Sequence, residues 1–177
     1  MTPTPTGRDT STSPTNGTLA ADEFAFVAEV GVRWSDMDAF GHINHARMVT
    51  LMEEARIEWL RSARESGGPA NADDHPDEPN SAADYAQLIM SAMIVHVEIR
   101  YQRQLRHEDT PLRIGMWIKG FRSVDFTIGY EIRGADDDSS TKPACVASTQ
   151  MAVVDVEAHS LRRLTAVEKE FLRSWSR

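Results

Sequence analysis

Residues 33–64 read RWSDMDAFGHINHARMVTLMEEARIEWLRSAR, and the stretch changes character at about Asn44. From 44 to 64 there is no Gly or Pro, and apolar residues recur at Met48, Met52, Ala55 and Trp59, a spacing that predicts a long helix. Val49, Leu51, Ile57 and Leu60 widen the apolar surface beyond one stripe, so the helix is expected to be central and covered on more than one side. Working outward, Phe26, Ala28, Val30 and Val32 alternate with Val27, Glu29, Gly31 and Arg33, which predicts a strand at about 26–34. After the helix, Val95, Val97, Ile99 and Tyr101 alternate with His96, Glu98, Arg100 and Gln102. The same period returns with Leu112, Ile114, Met116 and Ile118, with Phe126, Ile128, Tyr130 and Ile132, and with Ala147, Thr149, Met151 and Val153. Four strands in succession imply an antiparallel meander. The order is βαββββ, an α+β fold in which one curved antiparallel sheet wraps around one long central helix. Thr165 and Glu168 form a capping-box pattern opening TAVEKEFLRSW, which predicts a short C-terminal helix.

The remaining sequence sets limits. Residues 1–22 carry seven Thr and three Pro with few large apolar side chains, and are expected to form a disordered tail. Residues 23–177 are expected to form a single domain, interrupted at about 65–84 by a polar, acidic insertion. Of the 177 residues, 41 % are hydrophobic and 26 % charged, close to the soluble average. No apolar run is long enough to span a membrane and no secretion signal is evident, so a cytoplasmic protein is expected. Cys145 is the single cysteine, which removes intramolecular disulfides and cysteine-based zinc sites. A net charge of -8 argues against a nucleic-acid binder. The charge is concentrated in residues 61–84 and 134–142, so a local basic site for an anionic ligand remains compatible with it.

The densest polar chemistry lies where the first strand meets the helix. Asp36, Asp38, His42, Asn44 and His45 fall within ten residues, beside the free N–H groups of a helix N-terminus. Such an end can hold a developing oxyanion, and a carboxylate next to it can act as general base or nucleophile on a carbonyl. The plainer alternative is that Asp38 and Asn44 cap the helix while His42 makes a buried hydrogen bond. Residue types alone leave both readings open.

The pattern Arg-aromatic-x-Asp-x-Asp-x-x-Gly-His-Ile-Asn, followed by a helix carrying Glu53-Glu54-Ala55-Arg56, resembles the 4-hydroxybenzoyl-CoA thioesterase-like family of the hotdog-fold superfamily. The resemblance implies a hotdog fold over roughly residues 26–157 and an acyl-CoA thioesterase. In that reading Asp38 attacks the thioester carbonyl or activates water, and the backbone N–H groups of His45, Ala46 and Arg47 hold the oxyanion. His42 would polarise or orient the carbonyl or Asp38, and Asn44 would hold the turn or contact substrate. Asp36 reads as a turn or ion-pair residue, with Arg33 as partner. His45 departs from the family, where a second Asn is common. Glu53 and Glu54 read as solvated or Arg-paired. Lys119 and Arg122 in the turn near Gly120, with Arg103 and Arg106 as further candidates, are the expected contacts for coenzyme A phosphates.

The methionines Met48, Met52 and Met90, with Trp59 and Trp117, read as core. The resemblance further implies a homodimer or tetramer with sites between subunits, no metal, and no cofactor other than coenzyme A as part of the substrate. An acyl carrier protein is a further candidate carrier. The competing reading is a non-catalytic module that binds acyl-CoA or an acyl carrier protein. A metal site from Asp36, Asp38, His42 and His45 is a disfavoured alternative, and so is an (R)-specific enoyl-CoA hydratase, whose Asp-x-Asn-Pro-x-His pattern is matched here neither in its Asp-to-His spacing nor in its Asn-Pro.

Overall fold

The computed structural model describes residues 24–65, 88 and 90–177; the expected tail and nearly all of the acidic insertion lie outside them. Strand β1 (Phe26–Val30) leads through a single 3-10 turn (Trp34–Asp36) to helix α1 (His45–Glu65). Strands β2 (Ala92–Tyr101), β3 (Leu112–Phe121), β4 (Asp125–Arg133), β5 (Cys145–Asp155) and the two-residue β6 (Ser160–Leu161) follow, then helix α2 (Ala166–Ser174). The strands form one antiparallel sheet in the order β1-β3-β4-β5-β2, with β6 on β5, curved as a half-barrel.

The expected βαββββ order is present, with two corrections. The meander holds only from β3 to β5, because β1 occupies the free edge of β3, pairing Phe26 with Met116 and Val30 with Leu112. Strand β2 therefore crosses to the far edge and pairs with β5, from Ala92 opposite Val153 to Tyr101 opposite Cys145. The first strand is also shorter than 26–34. The Arg33 N–H donates to Asp36 Oδ2 at 2.8 Å, which folds the chain into the 3-10 turn instead of continuing the ladder.

Helix α1 lays Met48, Leu51, Met52, Ala55 and Trp59 against Ala28, Ile114, Met116, Ile128 and Tyr130 of the sheet, and these form the main core. Burying one such side chain is worth roughly 1.5–3 kcal/mol. Among the described residues of one copy the helix is not covered on every side: Ile57, expected to be covered, is 52 % exposed. Helix α2 closes the C-terminal half of α1, where Trp59 stacks on Phe171 at 5.9 Å and meets Trp175 edge-on at 5.5 Å. Both capping-box bonds expected of Thr165 and Glu168 are formed. Met90, expected in the core, is 83 % exposed. Trp117 has the opposite parity to Met116 and Ile118 and covers the other face of the sheet, between Phe24 and the guanidinium of Arg177.

The Trp117 ring lies directly over Gly129, where an added Cβ would stand 2.5 Å from the ring. Overpacking of this kind costs about 1–3 kcal/mol. Gly129→Ala is expected to lower the urea-unfolding stability by that amount and to change the near-ultraviolet dichroism of the tryptophans; an unchanged stability would refute this packing.

Candidate active site

Residues 38–42 form a closed loop. Asp38 donates its N–H to the His42 carbonyl at 2.7 Å, and the Gly41 N–H returns to the Asp38 carbonyl at 3.2 Å. Gly41 sits at φ +76°, a left-handed conformation that a β-branched side chain would strain. Inside the loop, Asp38 Oδ1 accepts the N–H groups of Phe40 at 2.8 Å and His42 at 3.1 Å. Oδ2 has no hydrogen-bond donor among the described residues. The His42 N–H bond holds the Asp38 pKa below the usual 3.8. Burial is the next largest influence and opposes this, while the Phe40 N–H and the His42 and His45 imidazoles add to the lowering.

Two bonds attach this loop to the rest of the molecule. Asn44 donates its N–H to the Asp36 carbonyl at 2.9 Å, and Ile43 donates to the Leu105 carbonyl at 2.8 Å. Asn44 Oδ1 then accepts the Ala46 N–H at 2.9 Å while its carbonyl takes the first intrahelical bond from Met48, so Asn44 is the N-cap of α1. Asn44 thus caps the helix, and the N–H of Ala46, one of the three expected oxyanion donors, is bonded to its side chain. His45 and Arg47 retain first-turn N–H groups, which by position have no intrahelical acceptor.

Asp38, His42 and His45 line a cleft of about 330 Å³ together with Met48, Tyr101 and Arg103. Its floor is Leu105 and Cys145, and Gln102 and Gln104 form a polar rim. Its size suits a small-molecule group rather than a macromolecular surface. The Tyr101 hydroxyl donates to the His45 carbonyl at 3.3 Å, tying the end of β2 to the start of α1. Burial raises the pKa of Tyr101 and, chiefly through desolvation, pushes the Cys145 thiol up to about 11, so neither is an anion at neutral pH. The sequence pattern shows Tyr101 only as one of an alternating set and Cys145 only as a lone thiol. Their meeting at the cleft follows from the β2–β5 register, which places Tyr101 opposite Cys145.

The other expected site residues divide. Asp36 is buried; it accepts the Arg33 N–H and lies 4.0 Å from Arg47, while the Arg33 guanidinium goes instead to Glu54 at 3.1 Å. Asp36 is thus engaged by the Arg33 N–H and faces Arg47, and among the described residues no three His, Cys, Asp or Glu side chains converge as a metal site. Arg103 borders the cleft and is ion-paired to Asp137, with Asp109 at 4.0 Å. Arg106 is exposed in the adjoining loop. Lys119 and Arg122 are elsewhere. The pairing of Phe121 with Phe126, and of Cys145 with Ile132 and Tyr101, puts the β3–β4 hairpin and the Asp38 cleft at opposite ends of the sheet, roughly 20 Å apart along the strands. Arg122 is also held by both oxygens of Asp125 at 2.9 Å, which raises its pKa.

A curved antiparallel sheet wrapped around one long helix, with a carboxylate loop at that helix's N-terminus, is the architecture of the hotdog class. Residues 32–175 match the thioesterase-like superfamily, and the chain belongs to that family; it is a thioester hydrolase. Solved structures share the fold at low identity. A thioesterase from Thermus thermophilus, complexed with coenzyme A and Zn, is 18 % identical with a TM-score of 0.62, over 86 % of this chain and 94 % of that one. The probable thioesterase YbaW from Escherichia coli is 18 % identical with a TM-score of 0.62, over 85 % and 98 %. The 1,4-dihydroxy-2-naphthoyl-CoA thioesterase Slr0204 from Synechocystis is 16 % identical with a TM-score of 0.59, over 84 % and 95 %. No curated protein matches the sequence. Among the described residues no helix is long and apolar enough to cross a membrane.

Proposed function

We propose that this protein hydrolyses acyl-CoA thioesters to the free acid and coenzyme A in the cytoplasm, with Asp38 as the catalytic carboxylate. The observation that carries this reading is the placement of Asp38. Two N–H groups hold Oδ1 and none of the described residues donates to Oδ2, at a cleft that also meets the first turn of α1. A thioester carbonyl seated against the N–H groups of His45 and Arg47 would gain stabilisation as its oxygen becomes negative. Asp38 then attacks the carbonyl carbon or takes a proton from water, and His42 on the same wall orients the carbonyl. Solved structures of this fold that carry coenzyme A, or are named for a naphthoyl-CoA ester, support an acyl-CoA substrate. The test is thiol release across esters from acetyl-CoA to palmitoyl-CoA plus benzoyl and hydroxybenzoyl esters. Turnover identifies the reaction and its acyl preference. Absence of turnover on every ester together with coenzyme A binding would overturn acyl-CoA as the substrate and Asp38 as its catalyst, in favour of a binding module or of an acyl carrier protein as the carrier.

The assembly we propose is a homodimer joined through β2. Met93, Ile94 and Val95 are 61 %, 43 % and 56 % exposed on this edge strand, an apolar edge that single proteins normally protect. Antiparallel pairing of two β2 edges would swap their ends and bring Lys119 and Arg122 of one copy to the end of the sheet that holds Asp38 of the other. Coenzyme A phosphates would then meet those two residues, with Arg103 and Arg106 at the cleft itself. Val95→Lys is expected to give a single-copy mass by light scattering and at least tenfold lower turnover; an unchanged mass would refute the β2 interface.

A further inference from the structure

Arg56 and Trp59 bring polar groups into the core, the first with long contacts only and the second with no acceptor among the described residues. Arg56 is 5 % exposed. Its guanidinium meets the Tyr130 hydroxyl at 3.3 Å, and a Glu53 carboxylate oxygen at 3.9 Å from a side chain that is itself 58 % exposed. One turn further along α1, the indole N–H of Trp59 is buried with no acceptor among the described residues. A buried cation ordinarily faces an anion, because desolvation without one is costly. Here the pairing with Glu53 is long and open to water, so it offsets little of that cost.

Both residues line one cavity of about 30 Å³, whose other walls are apolar, Phe126, Met151 and Phe171 among them. That is room for roughly two water-sized groups. The cavity therefore matches the end of an apolar chain that finishes in an acceptor, and a buried guanidinium whose one carboxylate partner is 3.9 Å away favours an anionic one.

Its position relative to Asp38 gives the length of that chain. Met48 lines the Asp38 cleft, and Met52 and Arg56 follow at four-residue intervals along one ridge of α1. From the start of the helix to Arg56 the rise is about 16 Å. At an advance of about 1.3 Å per carbon–carbon bond, an extended acyl chain of about twelve carbons spans it. Met48 and Met52 are unbranched and adaptable, the side chains best suited to part for such a chain.

We infer that the Arg56–Trp59 cavity receives the carboxylate end of a long ω-carboxyacyl thioester whose reacting carbonyl lies at Asp38. This rests on the thioesterase reading and names its substrate class. The experiment compares dodecanedioyl-CoA with dodecanoyl-CoA in the wild type, Arg56→Met and Arg56→Lys, alongside thermal shifts with dodecanedioic and dodecanoic acids. The wild type is expected to favour the dioyl ester by at least tenfold in kcat/KM, Arg56→Met to erase that ratio, and Arg56→Lys to restore part of it. The diacid is expected to raise the wild-type melting temperature more than the monoacid does, and to lose this advantage in Arg56→Met. Turnover of both esters without preference, or an Arg56→Met loss equal on both, would overturn the pocket and leave the thioesterase reading standing. Stabilisation by the diacid through Arg56 without turnover of any ester would retain the pocket and overturn the catalytic reading.

Discussion

Asp38→Asn is expected to lower kcat for the preferred acyl-CoA by about a thousandfold or more while leaving the fold and coenzyme A binding in place. Asparagine keeps an acceptor at Oδ1, so the bonds from Phe40 and His42 survive and the loop closed by Asp38 and His42 is retained. What disappears is the charge and nucleophilicity of Oδ2. The pH dependence supplies a second reading. The His42 N–H leads the contacts that hold the Asp38 pKa below 3.8, so the carboxylate is ionised throughout the neutral range. Activity that needs the ionised form is retained as pH falls from neutrality and is lost only below 3.8. An acid limb centred near neutrality would assign the essential titration to another group. Single turnover in ¹⁸O water then tests for covalent catalysis: label entering the Asp38 side chain marks the nucleophile, whereas label found only in the product acid fits either a general base or water attack on the acyl carbon of an Asp38 anhydride. Near wild-type kcat in Asp38→Asn would exclude the residue from the reaction altogether.

The parts of this molecule legible in its sequence are those set by local periodicity. The helix from His45, the strands β3 and β4, and the Thr165–Glu168 cap each follow from spacing within a few residues. The Asp38 loop is legible as well, because its turn, its Gly41 and its helix cap lie within seven residues. Pairing is a different matter. Nothing local to β2 says that it will leave β3 to β1 and cross to β5, and that crossing creates the cleft by bringing Tyr101 beside Cys145. The alternation in β2 predicts one buried face, yet Val95 and Tyr101 are exposed: a bulge between Ile94 and His96 breaks the alternation at Val95, and Tyr101 ends the edge strand. The phosphate contacts illustrate the same limit. Lys119 and Arg122 have the right chemistry, but their distance from Asp38 is set by strand register, which composition does not encode. Arg56 enters the sequence reading only as part of the Glu53–Arg56 motif, and only the tertiary packing reveals that it is buried against Tyr130.

The largest stability loss is expected at Glu168, where Glu168→Leu should destabilise the fold by about 3 kcal/mol or more. The residue is only 3 % exposed and holds several partners at once. Oε1 and Oε2 accept from Arg162 at 2.6 and 2.9 Å, Oε2 also accepts the Thr165 N–H at 2.8 Å, and the Glu168 N–H donates to Thr165 Oγ1 at 3.1 Å. Arg162 in turn donates to Ser91 Oγ at 2.8 Å, so one ion pair joins the cap of α2 to the residue just before β2. Removing the carboxylate leaves Arg162 half-enclosed without its partner, and breaking one side of such a pair costs more than removing both. The double variant Arg162→Met/Glu168→Leu is therefore expected to recover part of the loss in urea unfolding. The pH response has a defined sign. Burial alone would raise the Glu168 pKa, but the Arg162 hydrogen bonds and the Thr165 N–H outweigh it and hold the carboxyl below 4.5. A depressed folded-state pKa gives stability that is complete above 4.5 and is lost as pH falls through the folded value. Wild-type stability is thus expected to fall in that acid window, and Glu168→Leu to show a shallower fall. Equal acid slopes in the two proteins, or a double variant no more stable than Glu168→Leu, would show that the Arg162 pair does not hold this corner of the fold.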